Sequence, residues 1–188
     1  MRSPGMKILA PQVLEFWFGS GADYGVAQKR WFEKDPAFDA QVRARFSEVH
    51  QALSNNREWL GAPAECLARI IVLDQFPRNM FRGTPRAFAT DRLALAAARH
   101  AIASGFDRDW LRVEKIFAYL PFEHSESLED QERACELMQP LGEEQYDYAL
   151  RHKAIIERFG RFPHRNAILG RASTPEEVEF LKQPGSGF

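Results

Sequence analysis

The feature that most constrains the fold is a repeated piece of punctuation. A capping residue, often followed by proline, opens a run with apolar side chains three and four apart, and glycine or proline closes it. Pro11 opens PQVLEFWFG, which Gly19 ends. Asp35 caps AFDAQVRARFSEVHQAL, and Pro36 takes the first helical position, where an N–H would go unused and a fixed φ suits the helix. Pro63 opens AECLARIIVLDQF, and the pattern predicts a stop at Pro77, because proline lacks the N–H and crowds the preceding turn. Thr84-Pro85 starts a short turn, and Asp91 is the expected cap of RLALAAARHAIAS, closed by Gly105. LRVEKIFAYL is expected to end at Pro121. Ser127 caps LEDQERACELMQ, and EEQYDYALRHKAIIERF ends at Gly160. STPEEVEFLK carries a capping box, with Thr174 as cap, Pro175 next and Glu177 third. No alternating run of strand length and no Asn-Gly hairpin signal interrupts this pattern. The connections are short, so successive helices are expected to pack as antiparallel hairpins, although no 34-residue repeat is legible. The expectation is an all-α fold in a single domain over residues 1–188, with its core at about 11–182 and flexible termini.

A chain of 188 residues, 45% hydrophobic and 27% charged, suffices for one full core and falls short of two comfortable ones. Lys+Arg 25 against Asp+Glu 26 leaves a net charge of -1, without the basic excess of a nucleic-acid binder. Cys66 and Cys135 lie in apolar, helical contexts and read as reduced core thiols of a cytoplasmic protein; a disulfide would need an oxidising compartment. The start, MRSPGMKILAPQ, lacks the apolar run of a secretory signal. The most apolar runs, IIVL at 70–73 and LALAAA at 93–98, are far shorter than the roughly 20 residues a membrane helix needs. The expected partners therefore include neither nucleic acid nor membrane. No G-x-S-x-G, P-loop, G-x-G-x-x-G or C-x-x-C motif is present, and no cofactor is implied.

Two stretches set arginines beside Phe-Pro and then an asparagine: DQFPRNMFRGT at 74–84 and RFGRFPHRNAILGR at 158–171. Arg78, Asn79 and Arg82 from the first, with Arg161, His164, Arg165 and Asn166 from the second, are candidate ligand-binding residues. Guanidinium groups bind phosphate or carboxylate in paired fashion, which lysine cannot match. Such a site needs the two stretches close together, each just past a helix end. The bland alternative is that these arginines tie helices, with Glu123, Glu126 and Asp130 as their counter-charges. Asp74 shares a helical stripe with Leu67, Ile70 and Ile71, so it points into the core and needs an arginine from 78–82 or 158–165 as a structural ion pair. His152 lies on the inward stripe of Tyr148, Ile155 and Phe159. It is either a core histidine bonded to a carbonyl or carboxylate, or a functional one. His100 reads as a core histidine and His50 as surface. In YLPFEHSESLEDQ, Glu123, His124 and Glu126 crowd one loop and are the candidate catalytic acid/base residues. EHSE has no metal-ligand spacing, so no metal is assigned. Ser125 adjoins His124, which is not in itself triad geometry.

Taken together, VLEFWFG (13–19), WFEKD (31–35), DQFPRNMFRGT, AFATD (87–91), YLPFEHSE (119–126), RFGRFPHRNAILGR and STPEEVEFL (173–181) resemble the bacterial family catalogued as domain of unknown function 924. The resemblance spans about Val13 to Leu181. It implies an all-α fold similar to tetratricopeptide-type right-handed arrays of helical hairpins, and it implies no reaction. Two functions stand open. One is a binding or scaffold module whose concave polar groove takes a peptide or protein; Trp17, Phe18, Trp31, Phe32 and Phe81 would suit such a groove, although most of them are expected in the core. The other is a hydrolase-like enzyme, or a receptor for a small anionic or phosphorylated metabolite held by the arginines.

Overall fold

A computed structural model describes residues 9–31 and 33–187, and among them every regular element is helical. The helices are α1 (Ala10–Phe18), α2 (Pro36–Asn55), α3 (Pro63–Met80), α4 (Asp91–Ala103), α5 (Arg112–Glu123), α6 (Leu128–Met138), α7 (Glu143–Phe159) and α8 (Pro175–Phe180). Short 3-10 turns lie between several of them. The chain falls into two compact units, one running to Arg82 and including Arg86–Pro121, the other formed by Gly83–Pro85 with the chain from Phe122 onward.

Several starts are where the sequence places them. The Asp35 carboxylate accepts the Ala37 and Phe38 N–H groups at 2.9 and 3.1 Å. Thr174 and Glu177 close their capping box. Gly160 ends α7 in the left-handed region, at φ 66 and ψ 4, a conformation that a Cβ would strain.

The two internal prolines behave differently from expectation. α3 runs through Pro77 to Met80, and α5 runs through Pro121 to Glu123. A proline at 77 leaves the Leu73 carbonyl without its helical donor. Thr90 Oγ1 supplies one at 2.7 Å, so the helix continues and the vacancy becomes a tie to the start of α4. Asp91 is accordingly the first residue of α4 rather than its cap, and its carboxylate is taken by Arg78. Ser127 stands at the start of α6 without a side-chain capping bond. Gln131 works instead at the end of α5, donating from Nε2 to the carbonyls of Phe122, Glu123 and Ser125 at 3.3, 2.7 and 2.7 Å.

In the first unit α3 packs on α1, α2 and α4. Its residues from Cys66 to Phe76 are buried on every side, as befits a helix that is apolar nearly all round. Against it sits an aromatic layer: Phe76 lies 4.5 Å from Phe46 and 5.8 Å from Trp17, and Trp17 lies 5.4 Å from Phe117, centroid to centroid. Trp17 and Phe18 are core residues, at 1% and 0% exposure, as expected of most of these aromatics. Trp31 and Phe81 are half-buried, and Phe32 lies outside the described residues. Within the second unit α6 packs on α7, and Ile155, Ile156 and Phe162 form a core flanked by Phe159 and Phe180. Both cysteines are buried free thiols, and burial raises the pKa of each.

Candidate functional site: two arginine clusters

The first cluster centres on Asp74, which is fully buried as its stripe requires. Arg78 is one helical turn on because α3 does not stop at Pro77, and its Nη1 lies 3.6 Å from Asp74 Oδ1. The same guanidinium spans both oxygens of Asp91 at 2.8 and 3.0 Å. Burial disfavours charge on Arg78, but the two carboxylates outweigh it and raise its pKa. Asn79 and Arg82 both donate to Asp39 of α2: Nδ2 at 2.8 Å, Nε and Nη2 at 2.8 and 2.9 Å. Burial pushes the Asp39 carboxyl upward, while Arg82 and Asn79 more than reverse this, so its pKa is lowered. FPRN therefore joins α3 to α2 and α4.

The second cluster lies at the end of α7. Arg161 pairs with the buried Glu177 through Nε and Nη2 at 2.7 and 2.8 Å, and this partner holds the Glu177 carboxyl down to about 2. Asn166 Nδ2 reaches Ser173 Oγ at 3.0 Å and Glu177 at 3.3 Å. Glu126 accepts Arg171 through both oxygens, at 2.7 and 3.0 Å, and also the Phe162 N–H at 2.8 Å. Burial works against its charge, but Arg171 and the amide prevail, and its pKa falls. Arg165, 7% exposed, donates to the His124 carbonyl at 3.0 Å. Ser125 donates to Asp130 at 2.7 Å.

Beside these lie the histidines. His152 is buried; its Nδ1 stands 2.8 Å from the Tyr148 carbonyl and 3.4 Å from Glu123, a residue at the end of α5 rather than in the loop. Burial holds the His152 pKa down to about 3 and that of His164 to about 4. His50, expected at the surface, is half-buried under Phe81 and Thr90, and burial lowers its pKa to about 4. His100, expected in the core, is exposed, with Nε2 2.9 Å from the Leu60 carbonyl.

The recurrence of Phe beside Arg has a physical basis in both units. Arg78 stands over Phe88 at 5.7 Å, Arg86 over Phe81 at 3.8 Å, Arg158 over Phe159 at 4.7 Å and Arg165 over Phe162 at 4.5 Å. The ring face attracts the cation and covers its apolar edge. Sequence reasoning missed the counter-charges Asp39 and Asp91, which carry no local signal, and also Arg69. Arg69 is 4% exposed and donates to the carbonyls of Leu53, Asn56 and Glu58 at 3.0, 2.8 and 2.8 Å. A lone arginine inside CLARIIVL was the signal available for it.

Arg78, Asn79 and Arg82 belong to the first unit, and Arg161, His164, Arg165 and Asn166 to the second. A shallow depression in the second unit is lined by Glu143, Glu144, Tyr146, Asp147 and Leu150, whose three carboxylates would repel an anion. Among the described residues, no group of three or more His, Cys, Asp or Glu side chains could hold a metal ion. No helix there is long and apolar enough to cross a membrane.

Fold and clusters together define an all-helical protein whose arginine motifs are internally paired. The family model described as bacterial protein of unknown function (DUF924) matches residues 13–185, and the chain belongs to that family. It is similar to the solved structure of a protein of unknown function from Agrobacterium tumefaciens, with 44% identity and a TM-score of 0.84, over 92% of this chain and 96% of that one. A search of the curated proteins finds no match.

Proposed function

We propose that this chain is a non-catalytic binding or scaffold module of the cytoplasm, a tetratricopeptide-like array of helical hairpins whose concave polar groove receives a peptide or protein. The observation that supports this most is the pairing of the motif arginines. Arg78, Arg82, Arg161 and Arg171 each face a carboxylate at 2.7–2.8 Å, so an arriving anion would have to displace a carboxylate already in place. Of the acid/base candidates, Glu126 is constrained in the same way. A useful general acid or base needs a pKa near the working pH, and Arg171 holds Glu126 below the usual carboxylate range.

Calorimetry with inorganic phosphate and with a phosphorylated sugar tests the reading, on wild type and on Arg82→Ala and Arg165→Ala. The expected result is the same weak, non-saturating heat from all three. A saturable heat lost in either variant would overturn the scaffold reading and assign a receptor for anionic metabolites at Arg78, Asn79 and Arg82, or at Arg161, His164, Arg165 and Asn166.

A further inference from the structure

The motif RFGRFPHRNAILGR is more than a set of ties, because histidines surround its centre. Phe162 is fully buried, with the His152 ring 5.7 Å away at 82° and the His164 ring 5.6 Å away at 45°. The Arg165 guanidinium covers the Phe162 ring at 4.5 Å, and its Nη1 holds the His124 carbonyl. The backbone of Phe162 is held at both ends: its N–H by Glu126, and its carbonyl by Arg171 Nη2 at 3.0 Å. Arg171 returns to Glu126, which closes a ring of bonds around one residue.

We infer that residues 160–172 form a proton-sensitive latch, closed on the end of α5 and on α7 while His152 and His164 are neutral, and opened when they take up protons. The charged and titratable groups facing these rings include Glu123, His124 and Glu126 from the end of α5 and its following loop, Arg165 and Arg171 from the latch itself, and for His152 also His164. Glu126 is already engaged by Arg171. Burial is the main opponent of a proton on His152, joined by Arg165; the Tyr148 carbonyl favours the proton, and Glu123 lies 3.4 Å from the same Nδ1, yet the pKa stays low. A proton on either ring therefore places charge on a desolvated imidazole beside the buried Arg165 guanidinium, and outward movement of the latch relieves it.

The closed state binds protons less readily than solvated imidazoles near 6.5, so closure is fully stable above that value and weakens as pH falls towards about 4. Each histidine favours opening about tenfold per pH unit below its solvated value, and for both between pH 7.5 and 5.0 this approaches about 1000-fold. That interval lies above the carboxylate range, so Glu126 keeps its charge throughout.

Hydrogen exchange on the full chain, corrected for the intrinsic pH dependence of amide exchange, tests this. The Phe162, Arg165, Asn166 and Arg171 amides are all bonded in the closed latch. Their protection should fall by two to three orders of magnitude, about 100- to 1000-fold, from pH 7.5 to 5.0, while the amides of α3 lose far less. His164→Gln, at a half-buried site, should remove about half of that response on a logarithmic scale, and His152→Gln a similar share. Glu126→Gln should lower latch protection already at pH 7.5 and leave the pH response in place. Latch protection independent of pH, or a fall of the same size in both histidine variants, would overturn the latch.

Discussion

At the residue scale, Asp74 is the most consequential charge. It is fully buried, accepts from Gln75 Nε2 at 2.5 Å and lies beside Arg78. Asp74→Ala leaves Arg78 facing Asp91 alone and Gln75 without its acceptor, and should cost on the order of 3–5 kcal/mol in urea unfolding. Arg82→Ala, which removes the 38% exposed partner of Asp39 and leaves Asn79 on that carboxylate, should cost about 1 kcal/mol. Equal losses would mean that burial does not rank these pairs. The inward direction of Asp74 was legible from its spacing to Leu67 and Ile71. Its partner, Arg78, lies among the arginines expected from 78–82 or 158–165, and a proline read as a break kept the choice within that set open. The carboxylates for Arg78 and Arg82 come from α4 and α2, 13 and 43 residues away, and helical periodicity carries no information at such separations.

At the scale of elements, the caps at Asp35, Thr174 and Gly160 were legible, whereas the caps expected of Asp91 and Ser127 and the proline stops were not borne out. Asp35, Thr174 and Gly160 act on their own helix, so neighbouring residues suffice to identify them. Pro77 is tolerated because Thr90, 13 residues later, donates to the carbonyl that the proline leaves open. Thr90→Val should therefore cost about 1–3 kcal/mol, by stranding that carbonyl in the core. Pro77→Ala returns an N–H to Leu73, so in that background Thr90→Val should cost less than half as much. A Thr90→Val cost that is the same with and without Pro77 would show the hydroxyl to be incidental. Thr174→Ala removes the acceptor of the Glu177 N–H and should lower stability by about 1 kcal/mol in the same assay.

At the scale of the whole molecule, an all-helical chain of the DUF924 family divides into two compact units, each with its own arginine-bearing motif and its own counter-charges. The all-α class was legible throughout; the division was not, since the boundary at Pro121 falls inside a continuous helix. Acid should weaken the second unit in two stages. Protonation of His152 and His164 acts from about pH 6.5 downward, because their folded values lie below the solvated one. Loss of Glu126 and Glu177 charge follows below about 4.5, because both are held under that ordinary value. The central claim is that the motif arginines hold the fold together rather than a ligand. A double-mutant cycle on Glu126→Gln and Arg171→Gln, read by urea unfolding at pH 7.5, measures this most directly. The account predicts a favourable coupling of about 1 kcal/mol, unchanged by added phosphate. Zero coupling, or phosphate stabilising wild type but not Arg171→Gln, would contradict it.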